Sequence, residues 1–302
     1  VVQYSKDHTE EIGLLKFDFL GLRNLTVLRD SRDLIYEKEQ RVIDYDTMPM
    51  DDPKVFEMIS RGDTMGVFQL ESPGMTNFMM RLEPKNLEDI IAGISLFRPG
   101  PMEQIDSYLE ARKDPSTIHY ATPLLEPILN VTQGTIIYQE QVMQIVRSLG
   151  GFSLGQADLV RRAMAKKKPE ELARYEELFI HGGEDAAGNP VDGCIKRGVP
   201  EQVGRDIFQQ VMAFAGYAFN KAHAAAYAVL AYQTAWLKYY YPVEFMAALL
   251  NTFMGNLDKA NAYISAAKDL GIEILGPDIN RSDVRFTTED GAIRFALAAV
   301  KN

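Results

Sequence analysis

Asn220, Lys221 and His223 crowd an amide, a cation and an imidazole into four consecutive positions, and Tyr217 stands just ahead of them. They fall where the Gly216-Tyr217 turn gives way to Ala222, Ala225, Ala226 and Val229, small residues recurring at helical spacing. A helix N-terminus offers unsatisfied N–H groups and the positive pole of the helix dipole, so with Lys221 and His223 it can receive a phosphate or another anion. The Tyr217 ring beside it could take a base. The same residues also suit a well-packed helix whose polar first turn is merely capped.

A second group of charges lies some fifty residues earlier, in Gly150 to Lys168. Gly150 and Gly151 end one helix, Ser153 is the N-cap of the next, and Asp158 to Lys168 continues it. No acid interrupts Arg161, Arg162, Lys166, Lys167 and Lys168. Arg162 and Lys166 are neighbours at i,i+4, and Arg161 and Lys168 line up two turns apart, so cations flank an apolar stripe. The chain has 32 Lys and Arg against 42 Asp and Glu, a net charge of -10, so this basic cluster is local. Such a run serves phosphate neutralisation or is simply a solvated face.

The elements that must hold these groups are mostly helices. Leu14 to Leu20 alternates, with Lys16, Asp18 and Leu20 opposite Leu15, Phe17 and Phe19, which predicts a strand, then a glycine turn and a helix from about Asn24 to Glu37. Asp52-Pro53, Ser72-Pro73 and Thr122-Pro123 each pair an N-cap with an N1 proline. Gly66 to Leu70 reads as a short strand. Asn86 caps a helix that Arg98-Pro99-Gly100-Pro101 stops, and Arg98 is a weak candidate for a DNA or phosphate contact. Gln139 to Leu149, Glu170 to His181, a helix opened by Pro200, Ala222 onward to Pro242, Val243 to Met254 and Leu257 to Leu270 complete the helical series. Ile272 to Leu275, Val284 to Thr287 and Ala292 to Leu297 predict a strand and a hairpin joined at Asp290-Gly291.

Composition narrows the function classes. With 302 residues and 46% hydrophobic content the chain can bury one large core or two small ones. The single cysteine, Cys194, excludes an internal disulfide and a multi-thiolate zinc site, and the four histidines show no ligand spacing. No stretch reaches the roughly 20 apolar residues of a membrane span; Ala222 to Leu237 comes closest, and Gln233 and its short length argue for a buried core helix. The start at Val1, without Met, and the apolar run at the other end read as cut ends, so a missing signal peptide says nothing.

Six ordered blocks carry a resemblance that runs nearly end to end: GLLKFDFLGLRNLT (13–26), GDTMGVFQLESPGM (62–75), LFRPGPM (96–102), YQEQVM (138–143), ADLVRRAMAKKKPEE (157–171) and the stretch around GYAFNKAH. The chain resembles the fingers domain of the C family of bacterial replicative DNA polymerases, the family of the DNA polymerase III alpha subunit. The resemblance implies a mainly α (α+β) fold: 1–50 as the C-terminal part of the palm with a short strand, 51–270 as helical fingers, and 271–302 as a junction with a small β-hairpin. Beyond it would lie a helix-hairpin-helix DNA-binding region.

It also implies chemistry. Asp18 takes the place of one of three palm carboxylates that hold two Mg2+ ions for nucleotidyl transfer from a dNTP to a primer end, the other two carboxylates lying upstream of residue 1. Lys16 matches the lysine near the triphosphate. Arg161 and Arg162 would neutralise the triphosphate, where planar guanidinium groups suit paired oxygens. Tyr217 would stack on the nascent base pair, with Asn220, Lys221 and His223 lining the same pocket. Lys166, Lys167 and Lys168 are weaker candidates for template phosphates. Ala165, Ala218 and Ala222 depart from the family's glycine, glycine and serine. The implied partners are template-primer DNA, dNTPs, the remainder of the polymerase chain, a sliding clamp and an exonuclease, in the bacterial cytoplasm. A catalytically silent nucleotide- or DNA-binding module, an error-prone paralogue and a helical scaffold are the other readings.

Overall fold

The structure is a computed structural model that describes residues 3–15, 17–165, 169–215 and 217–300. Lys16, Gly216 and Lys166 to Lys168, all named above, lie outside the described residues.

Caps and breakers set the helix starts. α1 is Lys6–Glu11 and α2 is Arg23–Glu39. α3 (Pro53–Ser60) begins where the Asp52 carboxylate accepts from Lys54 N, α4 (Pro73–Leu82) where Ser72 accepts from Met75 N, and α5 (Leu87–Leu96) where Asn86 accepts from Asp89 N. α6 (Ile105–Lys113) follows the Arg98–Pro101 loop, and α7 (Glu126–Leu129) is a single turn. α8 (Gln139–Gly150) ends at Gly151 in the left-handed conformation that glycine adopts without strain. In the gap before α9 (Leu154–Ala165), Ser153 and Gln156 bond reciprocally, side chain to backbone N–H, as a capping box. α10 (Pro169–His181), α11 (Glu201–Ala215), α12 (Lys221–Tyr240), α13 (Pro242–Phe253) and α14 (Leu257–Asp269) follow.

Two hydrophobic cores organise these helices. The larger is built around α12, which lies against α2, α3, α5 and α13. Its small residues Ala224, Ala228, Ala231 and Ala235 are fully buried and let neighbouring helices approach closely. Polar groups on the same helix tie down loops: Tyr232 Oη accepts from Asp52 N at 3.0 Å and Thr234 Oγ1 accepts from Phe68 N at 3.0 Å. Lys238, only 4% exposed, donates to the carbonyls of Asp63 (2.9 Å) and Met65 (3.0 Å). The second core comes from α7 to α11, with Ile145, Val160, Phe179 and Phe208 at its centre.

The strands are few and short. β1 (Gly183–Glu184) and β2 (Pro190–Val191) form a small antiparallel pair inside the loop after α10. β3 (Ile274–Leu275), β4 (Thr287–Glu289) and β5 (Ala292–Arg294) form a sheet with β5 central, parallel to β3 and antiparallel to β4. The β4–β5 hairpin closes through Asp290 and Gly291, both at positive φ as a two-residue hairpin turn requires.

Two expected strands are not formed. Leu14, Leu15 and residues 17–20 have no regular structure, and Leu15, Phe17, Phe19 and Leu20 are strongly exposed. The alternating pattern is present, but a strand is defined by the neighbour it bonds to, and among the described residues none pairs with this segment. Gly66 to Leu70 is a series of turns, with Gly66 and Gln69 at positive φ and backbone groups bonded locally and to Thr234, while Lys238 holds the Met65 carbonyl just ahead of it.

Candidate functional site

The two cores meet where the chain leaves the second lobe and enters α12. Tyr138, at the start of α8, and Phe219, just before α12, form an isolated parallel bridge: Phe219 N donates to Ile137 O at 3.0 Å and Gln139 N donates to Phe219 O at 2.9 Å. Three separate segments therefore converge: 98–101, 138–140 and 217–223. α9 joins them through Arg161.

Charges at this seam are arranged in pairs. Asp158 accepts from Arg161 Nε (3.0 Å) and Nη2 (2.7 Å) through Oδ1, and its Oδ2 lies 2.7 Å from Arg162 Nε. The hydrogen bond from Arg161 holds the Asp158 carboxyl below the usual carboxylate range. Arg161, 27% exposed, also donates through Nη1 to Gln139 Oε1 at 3.3 Å, and Gln139 Nε2 donates to Ala218 O at 3.1 Å. Arg162 is 65% exposed and faces solvent.

At the start of α12 the N–H groups of Lys221 and His223 already have partners. Asn220 is the N-cap and its Oδ1 accepts from His223 N at 2.9 Å. Lys221 N donates to both carboxylate oxygens of Glu140 at 3.1 Å each. Lys221 Nζ pairs with Glu88 at 3.0 Å and lies 5.3 Å from the Tyr138 ring centre. A protein carboxylate thus sits where the sequence alone suggested a phosphate.

Planar groups stack along the same edge. The Arg98 guanidinium carbon lies 3.5 Å from the Phe219 ring centre, Phe219 meets His223 edge-on at 5.3 Å, and His223 meets Tyr227 at 4.2 Å. Tyr227 in turn packs on Phe68 at 5.1 Å. Tyr217, 53% exposed, lies over Gly100, whose φ is +100°, and a β-carbon at Gly100 would stand 2.5 Å from Tyr217 Cδ1. Only glycine fits there. Pro99, Pro101, Phe214 and Tyr217 are among the residues lining a cavity of about 330 Å³ beside this contact.

The structure thus brings Arg98, Arg161, Arg162, Tyr217, Asn220, Lys221 and His223 to one seam. Asp18 is exposed and sits on the irregular segment leading into α2. Among the described residues no cluster of three or more His, Cys, Asp or Glu could hold a metal ion, so Asp18 offers one hard oxygen donor and not a two-ion site. Sequence reading missed Gln139, Glu140, Asp158, Phe219 and Tyr227. Asp158 was within reach, since it stands at i−3 and i−4 from the two arginines; Gln139 meets Ala218 just before α12, and Glu140 meets Lys221 at its start, through tertiary pairing about eighty positions away.

Residues 24–187, more than half of the chain, match the bacterial DNA polymerase III alpha subunit finger domain. The chain belongs to this family. A helix-hairpin-helix motif matches residues 271–302, which begin at the β3–β5 region. The DNA polymerase III subunit alpha of Thermus aquaticus is 49% identical over the whole of this chain, which covers 24% of that protein. Those of Bacillus subtilis and Campylobacter jejuni are 43% and 45% identical, again over the whole chain, which covers 26% and 25% of them. The chain spans about a quarter of the length of these relatives. Among the described residues no helix is long and apolar enough to cross a membrane.

Proposed function

We propose that this chain is the fingers part of a replicative DNA-directed DNA polymerase and binds the incoming dNTP against template-primer DNA during nucleotidyl transfer. The observation that carries this reading is the convergence at the α8–α12 seam. A stacked ring system, an exposed tyrosine on a rigid glycine loop and paired arginines together suit a base at one end and a polyphosphate at the other. In this reading Tyr217 packs against the nascent base pair, and Arg161 and Arg162 exchange Asp158 for phosphate oxygens. Asn220, Lys221 and His223 line the pocket from the start of α12. Asp18 contributes one ligand and Lys16 one cation to a two-Mg2+ site completed by carboxylates elsewhere in the polymerase. Those ions would neutralise charge on the transferring phosphoryl group.

The division into a palm remainder (1–50), fingers (51–270) and a junction (271–302) toward a DNA-binding region belongs to the same proposal. So do Lys166 to Lys168 as template contacts, a sliding clamp and an exonuclease as partners, and the bacterial cytoplasm as location. With one of three metal carboxylates, the chain alone is expected to incorporate no nucleotide. The test is steady-state incorporation by the full-length polymerase carrying Arg161→Glu with Arg162→Glu. A rise in dNTP KM of about a hundredfold or more is expected, since two charge-assisted phosphate contacts are replaced by repulsion. An unchanged KM would mean that the basic helix is a solvated face.

A further inference from the structure

The cations at the seam differ in one respect: whether an acid already holds them. Arg161 and Arg162 share Asp158, Lys221 pairs with Glu88, and Glu140 occupies the first N–H of α12. Arg98 has no ion pair and no side-chain hydrogen bond among the described residues. Its guanidinium lies 3.5 Å over the Phe219 ring, in a partly buried position where desolvation lowers its pKa. A guanidinium stacked on a ring directs its N–H groups outward in its own plane, so stacking costs it no donor. The backbone beneath it is held: Arg98 N donates to Leu96 O at 2.8 Å, Met102 N donates to Arg98 O at 3.0 Å, and Pro99 and Pro101 flank the glycine against which the Tyr217 ring packs.

We propose that Arg98, stacked on Phe219, is the primary anion-binding residue of the seam and takes a phosphate of the nucleotide or of a DNA strand without displacing any carboxylate. This rests on the nucleotide-binding reading above and names the group that acts first in it. A desolvated cation with unspent donors gains most from an incoming phosphate, whereas Arg161, Arg162 and Lys221 must first give up a protein acid.

The test uses the full-length polymerase with Arg98→Gln, Arg98→Lys and Phe219→Leu, read as dNTP KM and kcat in single-nucleotide incorporation and as primer-template Kd across salt concentration. Arg98→Gln is expected to weaken one of the two by about tenfold or more, with unchanged thermal melting. A raised KM with unchanged DNA Kd assigns the dNTP triphosphate. A raised Kd with a salt slope smaller by about one assigns a DNA phosphate. Phe219→Leu should weaken the same arm, and Arg98→Lys should recover part of the loss because charge returns without the planar stack. If Arg98→Gln fails to fold, Arg98→Lys alone decides, by a loss in one arm or none. Both arms within about twofold of the unaltered enzyme would overturn the proposal, twofold being well below one charged hydrogen bond. If that result came together with a raised KM in the Arg161 and Arg162 variant, Arg98 alone would be ruled out. If neither set moved KM, the nucleotide-binding reading would fall with it.

Discussion

Asp158 commits both carboxylate oxygens to consecutive arginines and so acts as an internal stand-in for the anion those arginines are expected to meet. Holding Arg161 and Arg162 in place before ligand arrives lowers the ordering cost of binding, and competing with the ligand raises it. The competing effect should win at low ionic strength, because the amide of Asp158→Asn keeps one acceptor for Arg161 while removing the negative charge. This variant is therefore expected to lower dNTP KM about two- to fivefold in low salt, a gain that fades as salt screens the site. An increased KM would show that positioning outweighs competition. At this scale the sequence displayed residue types better than partners. Arg161, Arg162, Tyr217 and His223 stood out by charge, ring or spacing, whereas Gln139 is an unremarked amide until the fold places it between Arg161 and the Ala218 carbonyl.

Helix starts were legible because capping is local: the side chains of Asp52, Ser72, Asn86, Asn220 and Asn256 all bond to the N–H groups two or three residues ahead of them. Thr122 shows the limit, since its proline opens a 3₁₀ turn without a side-chain cap bond. The strands expected at Leu14 to Leu20 and Gly66 to Leu70 failed for a related reason. Alternation and apolar content are local, but pairing is not, and the second segment spends its N–H groups on Thr234 and on its own turns. Lys238 makes a pH prediction at the level of the element. Burial lowers its pKa from 10.5 to about 8, so the folded state gives up the proton more readily than the unfolded chain does. Between about pH 8 and 10.5 the unfolded state binds more protons, and the stability of this chain should rise with pH across that window, other groups held equal. Lys238→Met should abolish this rise and lower stability at pH 7 by roughly 1–3 kcal/mol, because two carbonyls lose their donor. Chemical denaturation at several pH values checks both.

Two cores and a seam between them are the feature of the whole molecule that no local pattern announced. The segment from Leu125 to Ala218 packs around its own apolar centre and rejoins the main lobe at the seam, through the Tyr138–Phe219 bridge, the Glu140–Lys221 bond and the Tyr217–Gly100 contact. Damage to the second core should therefore reach the site through α8. Ile145→Ala, at a fully buried position, is expected to cost about 2–5 kcal/mol and to raise dNTP KM in the full-length enzyme, because Gln139 and Glu140 lose their fixed place. A loss of stability with an unchanged KM would separate the core from the site. The acidic balance of the chain sets a condition on the proposed function: with a net charge of -10, any attraction for anions has to be local. The central claim, that segments 98–101 and 217–223 together receive the incoming nucleotide, is tested most directly by photo-crosslinking. A dNTP with a photoreactive base would be bound to the full-length polymerase on primed template with Mg2+ and the labelled peptides mapped. Label on the peptides carrying Arg98 to Pro101 and Tyr217 to His223, lost on competition with the matching unmodified dNTP, is the predicted result; competed label confined to other segments would contradict it.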